Sequence, residues 1–96
     1  DLDNQLYTAA LDRAPEDTYL VANYAQFLDG TGKSAEAIDQ AERFCALLPD
    51  LAWPHHYRAL VLAKAGRREE AKQSLRKALE IRSDYTQARD LLEQLR

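Results

Sequence analysis

Residues 59–83 read ALVLAKAGRREEAKQSLRKALEIRS, which predicts the end of one helix, a break at Gly66 and a second helix of about 15 residues. A related pattern occurs 34 positions earlier in the chain. The matched pairs are Ala25 and Ala59, Leu28 and Leu62, Gly32 and Gly66, Glu36 and Glu70, Ala37 and Ala71, and Asp50 and Asp84. A fixed period of this kind is typical of a repeat array, in which each unit packs on its neighbours.

Helical spacing of apolar residues extends over the whole chain. We predict helices over 2–13, 18–29, from Ser34 to the proline at position 49, and over 54–65, 68–82 and 86–96. Pro15 ends the first helix, Gly66 ends the fourth, and Ser83–Asp84 is predicted to cap the last. The links are about two to five residues long and force neighbouring helices to run antiparallel. The sequence therefore predicts an all-α fold.

Bulk composition fits one small soluble domain. The 96 residues are 46% hydrophobic and 30% charged, and no apolar run reaches the 18 or so residues of a membrane helix. The lone Cys45 is predicted to be a buried small hydrophobe and cannot form an internal disulfide. The sequence opens without a basic, apolar signal segment. An intracellular location is favoured and a periplasmic one is left open.

Charge is distributed unevenly along the chain. Residues 1–51 hold ten acidic and three basic side chains, a net charge of −7, whereas residues 52–96 hold ten basic and six acidic side chains, a net charge of +4. Such a distribution could steer partners or favour head-to-tail contact between molecules. Solvated helix faces explain it equally simply, and we favour that interpretation.

On these residues the chain resembles the tetratricopeptide repeat (TPR) family, whose units are helix–turn–helix pairs of 34 residues. The resemblance implies a right-handed superhelix of antiparallel helix pairs and divides the chain into four parts. Residues 1–17 are the second helix of a preceding unit, 18–51 are unit 1, 52–85 are unit 2, and 86–96 are a capping helix. The match has departures: Arg58 occupies a position where the family has a large apolar residue, and Ser83 stands where proline is usual.

The two ends are expected to differ. In the last helix the residues 34 positions after Ala59 and Leu62 are Glu93 and Arg96, which suit the polar outer face of a terminal repeat. The first helix keeps Tyr7, Ala10 and Leu11 apolar on the side of its missing partner. We therefore expect the chain to be the C-terminal part of a longer array, or to self-associate through residues 1–17.

The resemblance further implies that the first helix of each pair lines a concave groove that binds a peptide-like or helical segment of a partner. Trp53 is the sharpest candidate anchor, although packing across the preceding link explains it equally well. Asn23 alone matches the family's clamp for a C-terminal carboxylate, so binding of that kind is not expected. The candidate groove residues are Tyr19, Ala22, Asn23, Gln26, Asp29, Trp53, His56, Leu60, Lys64, Gln87, Asp90 and Gln94.

Other chemistry finds little support in the sequence. The adjacent His55 and His56 point about 100° apart on a helix and are poorly placed to share a metal ion. No nucleophile motif or phosphate loop is present, so we predict no catalysis, no cofactor and no metal. The basic residues of 67–82 are interleaved with glutamates and lack aromatic neighbours, so nucleic acid is not expected as a partner. The favoured function is a non-catalytic protein-interaction module, and the alternative is a structural self-association unit.

Overall fold

The computed structural model describes residues 2–14 and 17–96, with only the backbone described for residues 2, 3, 18, 19 and 22. The chain forms six α-helices over the described residues. They are α1 (Leu2–Arg13), α2 (Thr18–Gly30), α3 (Ser34–Leu47), α4 (Ala52–Lys64), α5 (Arg68–Ile81) and α6 (Thr86–Gln94). All six predicted helices are confirmed, and no strand occurs in the described ranges. The predicted end at Pro15 falls outside them.

Helix boundaries differ from the predictions mainly at the last three helices. Helix α4 begins at Ala52 rather than Pro54, because proline needs only to lie in the first turn. Helices α5 and α6 end earlier than predicted, at Ile81 and Gln94. The C-cap residue of α6 is Leu95, so Arg96 lies outside the helix.

Two predicted side-chain caps are wrong. Ser34 is the first residue of α3 instead of its cap, and the cap position belongs to Lys33. Tyr85, rather than Ser83 or Asp84, holds the cap position of α6. Helix α2 does receive a cap, because the backbone N–H of Leu20 donates to Oδ1 of Asp17 at 3.2 Å.

The turns inside the two hairpins are equivalent. Gly32 and Gly66 have φ angles of 81° and 79°, a left-handed conformation that side chains disfavour. In both turns the following residue donates its N–H to a leucine carbonyl, from Lys33 to Leu28 and from Arg67 to Leu62, each at 2.9 Å. The 34-residue period thus reproduces the same helix ending twice.

Small residues lie at the crossing of each hairpin. Ala25 and Ala37 in the first hairpin, and Ala59 and Ala71 in the second, are completely buried. Alanine at these four positions lets the paired helices approach closely. Larger buried side chains fill the space on either side of the crossings, chiefly Val21, Leu28, Phe44, Leu62 and Leu75.

The structure corrects three surface predictions. Leu11 is only 6% exposed and belongs to the core, whereas its neighbour Leu6 is 61% exposed. Lys72, expected to point outward, is half-buried and pairs with Glu69 at 3.2 Å. Cys45 is partly rather than fully buried. In each case a neighbouring helix decides how much of a helical face is covered, which helical spacing alone does not specify.

Candidate functional site

Helix α4 presents one continuous exposed face. Trp53, His56, Leu60 and Lys64 are spaced three or four residues apart, so they share one side of the helix. Trp53 is 47% exposed and Leu60 is 37% exposed, while His56 is half-buried. Two large apolar side chains therefore reach solvent seven residues apart, or about 10 Å along the helix axis.

The indole of Trp53 is anchored on one side and free on the other. Its ring meets Phe44 edge-to-face at 5.1 Å between centroids, and it lies 6.5 Å from the ring of Tyr57. Phe44 is fully buried below it. Both interpretations of Trp53 therefore hold, because part of the ring packs across the α3–α4 link and nearly half remains available for contact. An anchored aromatic ring loses little conformational entropy on binding.

His56 connects α4 to the start of α6. Its Nδ1 lies 3.1 Å from the hydroxyl oxygen of Tyr85, and the two ring centroids are 5.1 Å apart. Burial lowers the pKa of His56 below its ordinary value of 6.5, so the imidazole is mainly neutral at pH 7. Much of the side chain is therefore already occupied by an intramolecular contact.

Helix α2 contributes a polar side to this surface. Asn23 and Gln26 are exposed. Asp29 is largely covered and accepts a 2.8 Å ion-paired hydrogen bond from Nζ of Lys64, which ties α2 to α4. The side chains of Tyr19 and Ala22, also predicted here, lie outside the described residues.

Helix α6 adds Gln87, Asp90 and Gln94, all exposed. Gln87 and Trp53 line the same cleft, so the first turns of α4 and α6 are neighbours. We use the name groove surface for the described candidate residues on α2, α4 and α6, namely Asn23, Gln26, Asp29, Trp53, His56, Leu60, Lys64, Gln87, Asp90 and Gln94.

The cleft itself has a volume of about 540 Å³. Its walls are residues 50–53 from the α3–α4 link and the start of α4, together with Ile81, Arg82, Tyr85 and Gln87. We call it the inter-unit cleft. Sequence reasoning missed Leu51, Ile81, Arg82 and Tyr85 as candidates. The period carried a signal for two of them, since Leu51 and Tyr85 are 34 residues apart, as are Trp53 and Gln87.

A carboxylate clamp of the kind known in the family does not form here. The positions 34 and 68 residues after Asn23 are Tyr57, which is buried, and Leu91, which is half-buried. Burial raises the pKa of the Tyr57 hydroxyl far above its ordinary value, so it remains neutral. The clamp's donors are therefore missing from this surface.

A second apolar depression lies at the opposite end of the chain. It has a volume of about 440 Å³ and is lined by Leu6, Tyr7, Ala10, Leu20 and Phe27. We call it the N-terminal pocket. Tyr7 is half-buried, because its ring packs at 5.4 Å from both Tyr24 and Phe27. Tyr7 and Ala10 thus border an open apolar face as predicted, whereas Leu11 does not.

The basic face of α5 is neutralised in part by its own glutamates. Arg67 pairs with Glu70 at 2.6 Å, and Lys77 pairs with Glu80 at 3.8 Å. Pairs at this spacing are typical of a solvated helix face. They support the interpretation of the charge distribution as surface solvation, and the absence of a nucleic-acid partner stays a prediction.

The described residues offer little for catalysis or metal binding. Burial raises the pKa of Cys45 to about 11, so its thiol is protonated at neutral pH. No group of three or more histidine, cysteine, aspartate or glutamate side chains within residues 2–14 and 17–96 is arranged to hold a metal ion. No helix in the same ranges is long and apolar enough to span a membrane.

Solved structures of known proteins match this architecture over nearly the whole chain. The first TPR of Spaghetti (RPAP3), solved with the HSP90 peptide SRMEEVD, is 23% identical, with a TM-score of 0.82 over 96% of this chain and 73% of that one. The chain has the tetratricopeptide repeat fold. The TPR resemblance and the all-α solenoid predicted from the sequence are confirmed at this level.

Two further TPR-fold neighbours show how widely this arrangement occurs. YrrB, a TPR protein described as having an unusual peptide-binding site, is 23% identical, with a TM-score of 0.85 over 96% of this chain and 47% of that one. The Thermobaculum terrenum O-GlcNAc transferase is 27% identical, with a TM-score of 0.82 over 96% of this chain and 18% of the enzyme. No family model matches the sequence, and no curated protein sequence matches it.

Proposed function

We propose that this TPR-fold chain is a non-catalytic interaction module that binds a peptide-like or helical segment of a partner protein on the groove surface. The observation that carries the proposal is the exposed face of α4, where Trp53 and Leu60 present apolar area between polar flanks on α2 and α6. Large aromatic and aliphatic side chains surrounded by polar groups are typical of binding hot spots. The structural neighbours with peptide-binding descriptions support the same assignment.

The test is a selection of peptides from a random 12-residue library displayed on phage. Selected peptides are titrated against the wild type and against Leu60→Ser on the groove surface. We expect the substitution to weaken binding at least about fivefold, because it removes more than about 1 kcal/mol of apolar contact. Trp53 is the single tryptophan of the chain, so its fluorescence reports binding directly.

The matched control is Leu6→Ser, which changes an equally exposed leucine in the N-terminal pocket. Peptide binding should be unaffected by it. If no peptide is enriched, or if Leu60→Ser binds as well as the wild type, the groove assignment is wrong. Loss of binding in Leu6→Ser alone would move the site to the N-terminal pocket.

We also propose the unit boundaries of the sequence analysis, 18–51 and 52–85, flanked by a half unit at 1–17 and a capping helix at 86–96, within a longer array. Equivalent positions support this division, since Leu28 and Leu62 are both fully buried. The exposure of Glu93 and Arg96 supports a polar outer face on α6.

Self-association through residues 1–17 is the second candidate function. Its support is the N-terminal pocket, where Leu6 is 61% exposed beside Tyr7 and Phe27. Sedimentation at two concentrations checks it: a concentration-dependent dimer that Leu6→Ser abolishes would favour self-association. A strict monomer would remove this candidate and leave the groove module.

A further inference from the structure

The inter-unit cleft combines a cavity with exposed apolar side chains at one end of the groove surface. Leu51 is 51% exposed and Trp53 is 47% exposed, and both line the cleft. Only Leu6 and Leu60 are comparably exposed among the large hydrophobic residues that the structure describes. Three of these four side chains thus follow one line, from the cleft along α4 to Leu60.

The floor of the cleft is fixed before any ligand arrives. Phe44 supports the indole of Trp53 from below. Tyr85 is held by His56 on one side and lies 5.6 Å under the guanidinium of Arg82 on the other. Nε of Arg82 also donates to Oδ1 of Asp84 at 3.1 Å. A cavity of about 540 Å³ with such fixed walls suits a single bulky side chain of a partner.

The charges around the cleft favour one class of partner. The nearby cations are already engaged: Lys64 with Asp29 at 2.8 Å, Arg82 with Asp84, and Arg89 with the carbonyl oxygen of Ser83 at 2.7 Å. Asp50 in the cleft and Asp90 on α6 are exposed carboxylates. Neither belongs to an ion pair with any basic residue that the structure describes. The surplus charge here is therefore negative.

We propose that the inter-unit cleft is the specificity pocket of this chain and receives a bulky apolar side chain of a partner peptide that carries a lysine or arginine beside it. The apolar side chain contacts Leu51 and Trp53, and the basic residue is attracted by Asp50 and Asp90. A second apolar side chain, about 10 Å away, reaches Leu60. This inference rests on the proposed function, because it names the class of segment that the groove surface takes.

The first experiment compares peptides selected from the 12-residue library by the wild type and by the double variant Asp50→Lys/Asp90→Lys. Wild-type selections should be enriched in Leu, Ile, Phe, Met or Trp directly beside Lys or Arg. The double variant should select the same apolar residues beside Asp or Glu. The control is Asp12→Lys/Asp39→Lys, which makes the same change in net charge at exposed positions away from the cleft and should keep the wild-type preference.

The second experiment titrates individual peptides by Trp53 fluorescence. A selected apolar–basic peptide should bind Leu51→Ala at least about fivefold more weakly than the wild type, whereas the control Leu6→Ala should bind it normally. The acidic peptide SRMEEVD should bind at least about tenfold more weakly than the selected peptide. Far-UV circular dichroism verifies that every variant remains folded.

The outcomes separate this proposal from the one beneath it. Failure to enrich any peptide overturns the proposed function and the pocket together. Peptides that lose affinity in Leu60→Ser but keep it in Leu51→Ala, or that show no basic preference, leave the groove module standing and overturn the pocket. SRMEEVD binding as tightly as the selected peptide would overturn the charge assignment.

Discussion

The two helical hairpins, α2–α3 and α4–α5, share a backbone plan but fill one equivalent position in different ways. In the first hairpin, Tyr24 lies in the core, stacks on Tyr7 at 5.4 Å and donates its hydroxyl to Oδ1 of Asn4 at 2.5 Å. In the second, the residue 34 positions later is Arg58. Its guanidinium donates to the hydroxyl of buried Ser74 and to Oε1 of Glu42 at 3.2 Å.

Arg58 therefore joins three helices, because Glu42 belongs to α3, Arg58 to α4 and Ser74 to α5. A cation replaces the large apolar residue of the family pattern without being left unpaired. The comparison teaches that the period fixes the crossing of the helices, while the position next to it accepts an aromatic ring or a cation as long as its polar atoms find partners.

The hairpins also exchange the order of large and small core residues. Phe44 follows Ala41 in α3, whereas Ala78 follows Leu75 in α5, and all four are completely buried. Each hairpin has one large and one small residue, so the filled volume is roughly maintained. Phe44 does more than fill space, because its ring also supports Trp53 and lies 5.9 Å from the ring of Tyr57.

The largest expected effect comes from removing that ring. Phe44→Ala should lower the free energy of unfolding by about 3–5 kcal/mol, as expected for deleting a buried phenylalanine. Adding Ala41→Leu gives the first hairpin the order of the second and should restore only part of the loss, because a leucine side chain one helical turn earlier cannot support Trp53. Urea unfolding followed by circular dichroism measures both. A loss under about 1 kcal/mol for Phe44→Ala would show that the site collapses freely.

The polar bridge of the second hairpin should give the next effect. Arg58→Leu should cost about 1–3 kcal/mol, because the buried hydroxyl of Ser74 loses its donor. Arg58→Leu/Ser74→Ala removes both partners and should recover most of that cost. A double-mutant cycle in urea measures the coupling between them. Strictly additive losses would mean that the two side chains do not depend on each other.

The smallest expected effect concerns His56, whose counterpart 34 residues earlier is the non-titrating Ala22. Burial lowers the pKa of His56 in the folded chain, so the unfolded chain takes up this proton first, near pH 6.5. The free energy of unfolding should therefore be unaffected by this group above pH 6.5 and should decrease as the pH falls below 6.5. Thermal unfolding between about pH 5 and pH 8 measures the slope.

His56→Gln should lose this part of the pH dependence, whereas His55→Gln should retain it. Equal slopes in the wild type and His56→Gln would show that the proton on His56 is not linked to folding. The comparison of hairpins would then reduce to their packing and to the Arg58 bridge.

Much of the fold could be predicted from the sequence, since six helices, two glycine turns and four crossing alanines all follow from local spacing and a 34-residue period. The groove surface could be predicted in outline only. The period placed Trp53 and Leu60 on α4, but it gave no measure of how much of each side chain a neighbouring helix covers. The division between packing and exposure in Trp53 depends on Phe44, which lies on a different helix.

The inter-unit cleft shows the same limit more clearly. Leu51 and Tyr85 read as link residues in the sequence, and only the meeting of the α3–α4 link with the start of α6 makes them walls of one cavity. Arg58 is a further case: it reads as a departure from the pattern, and the tertiary structure supplies its partners on α3 and α5.

The sequence by itself determined the helices, their order and their antiparallel pairing, because these depend on residue spacing, glycine turns and short links within one or two units. The tertiary structure decided which side chains remain exposed, which charges are paired and where a cavity opens. These properties depend on atoms that are far apart in the chain and are brought together only when the units stack.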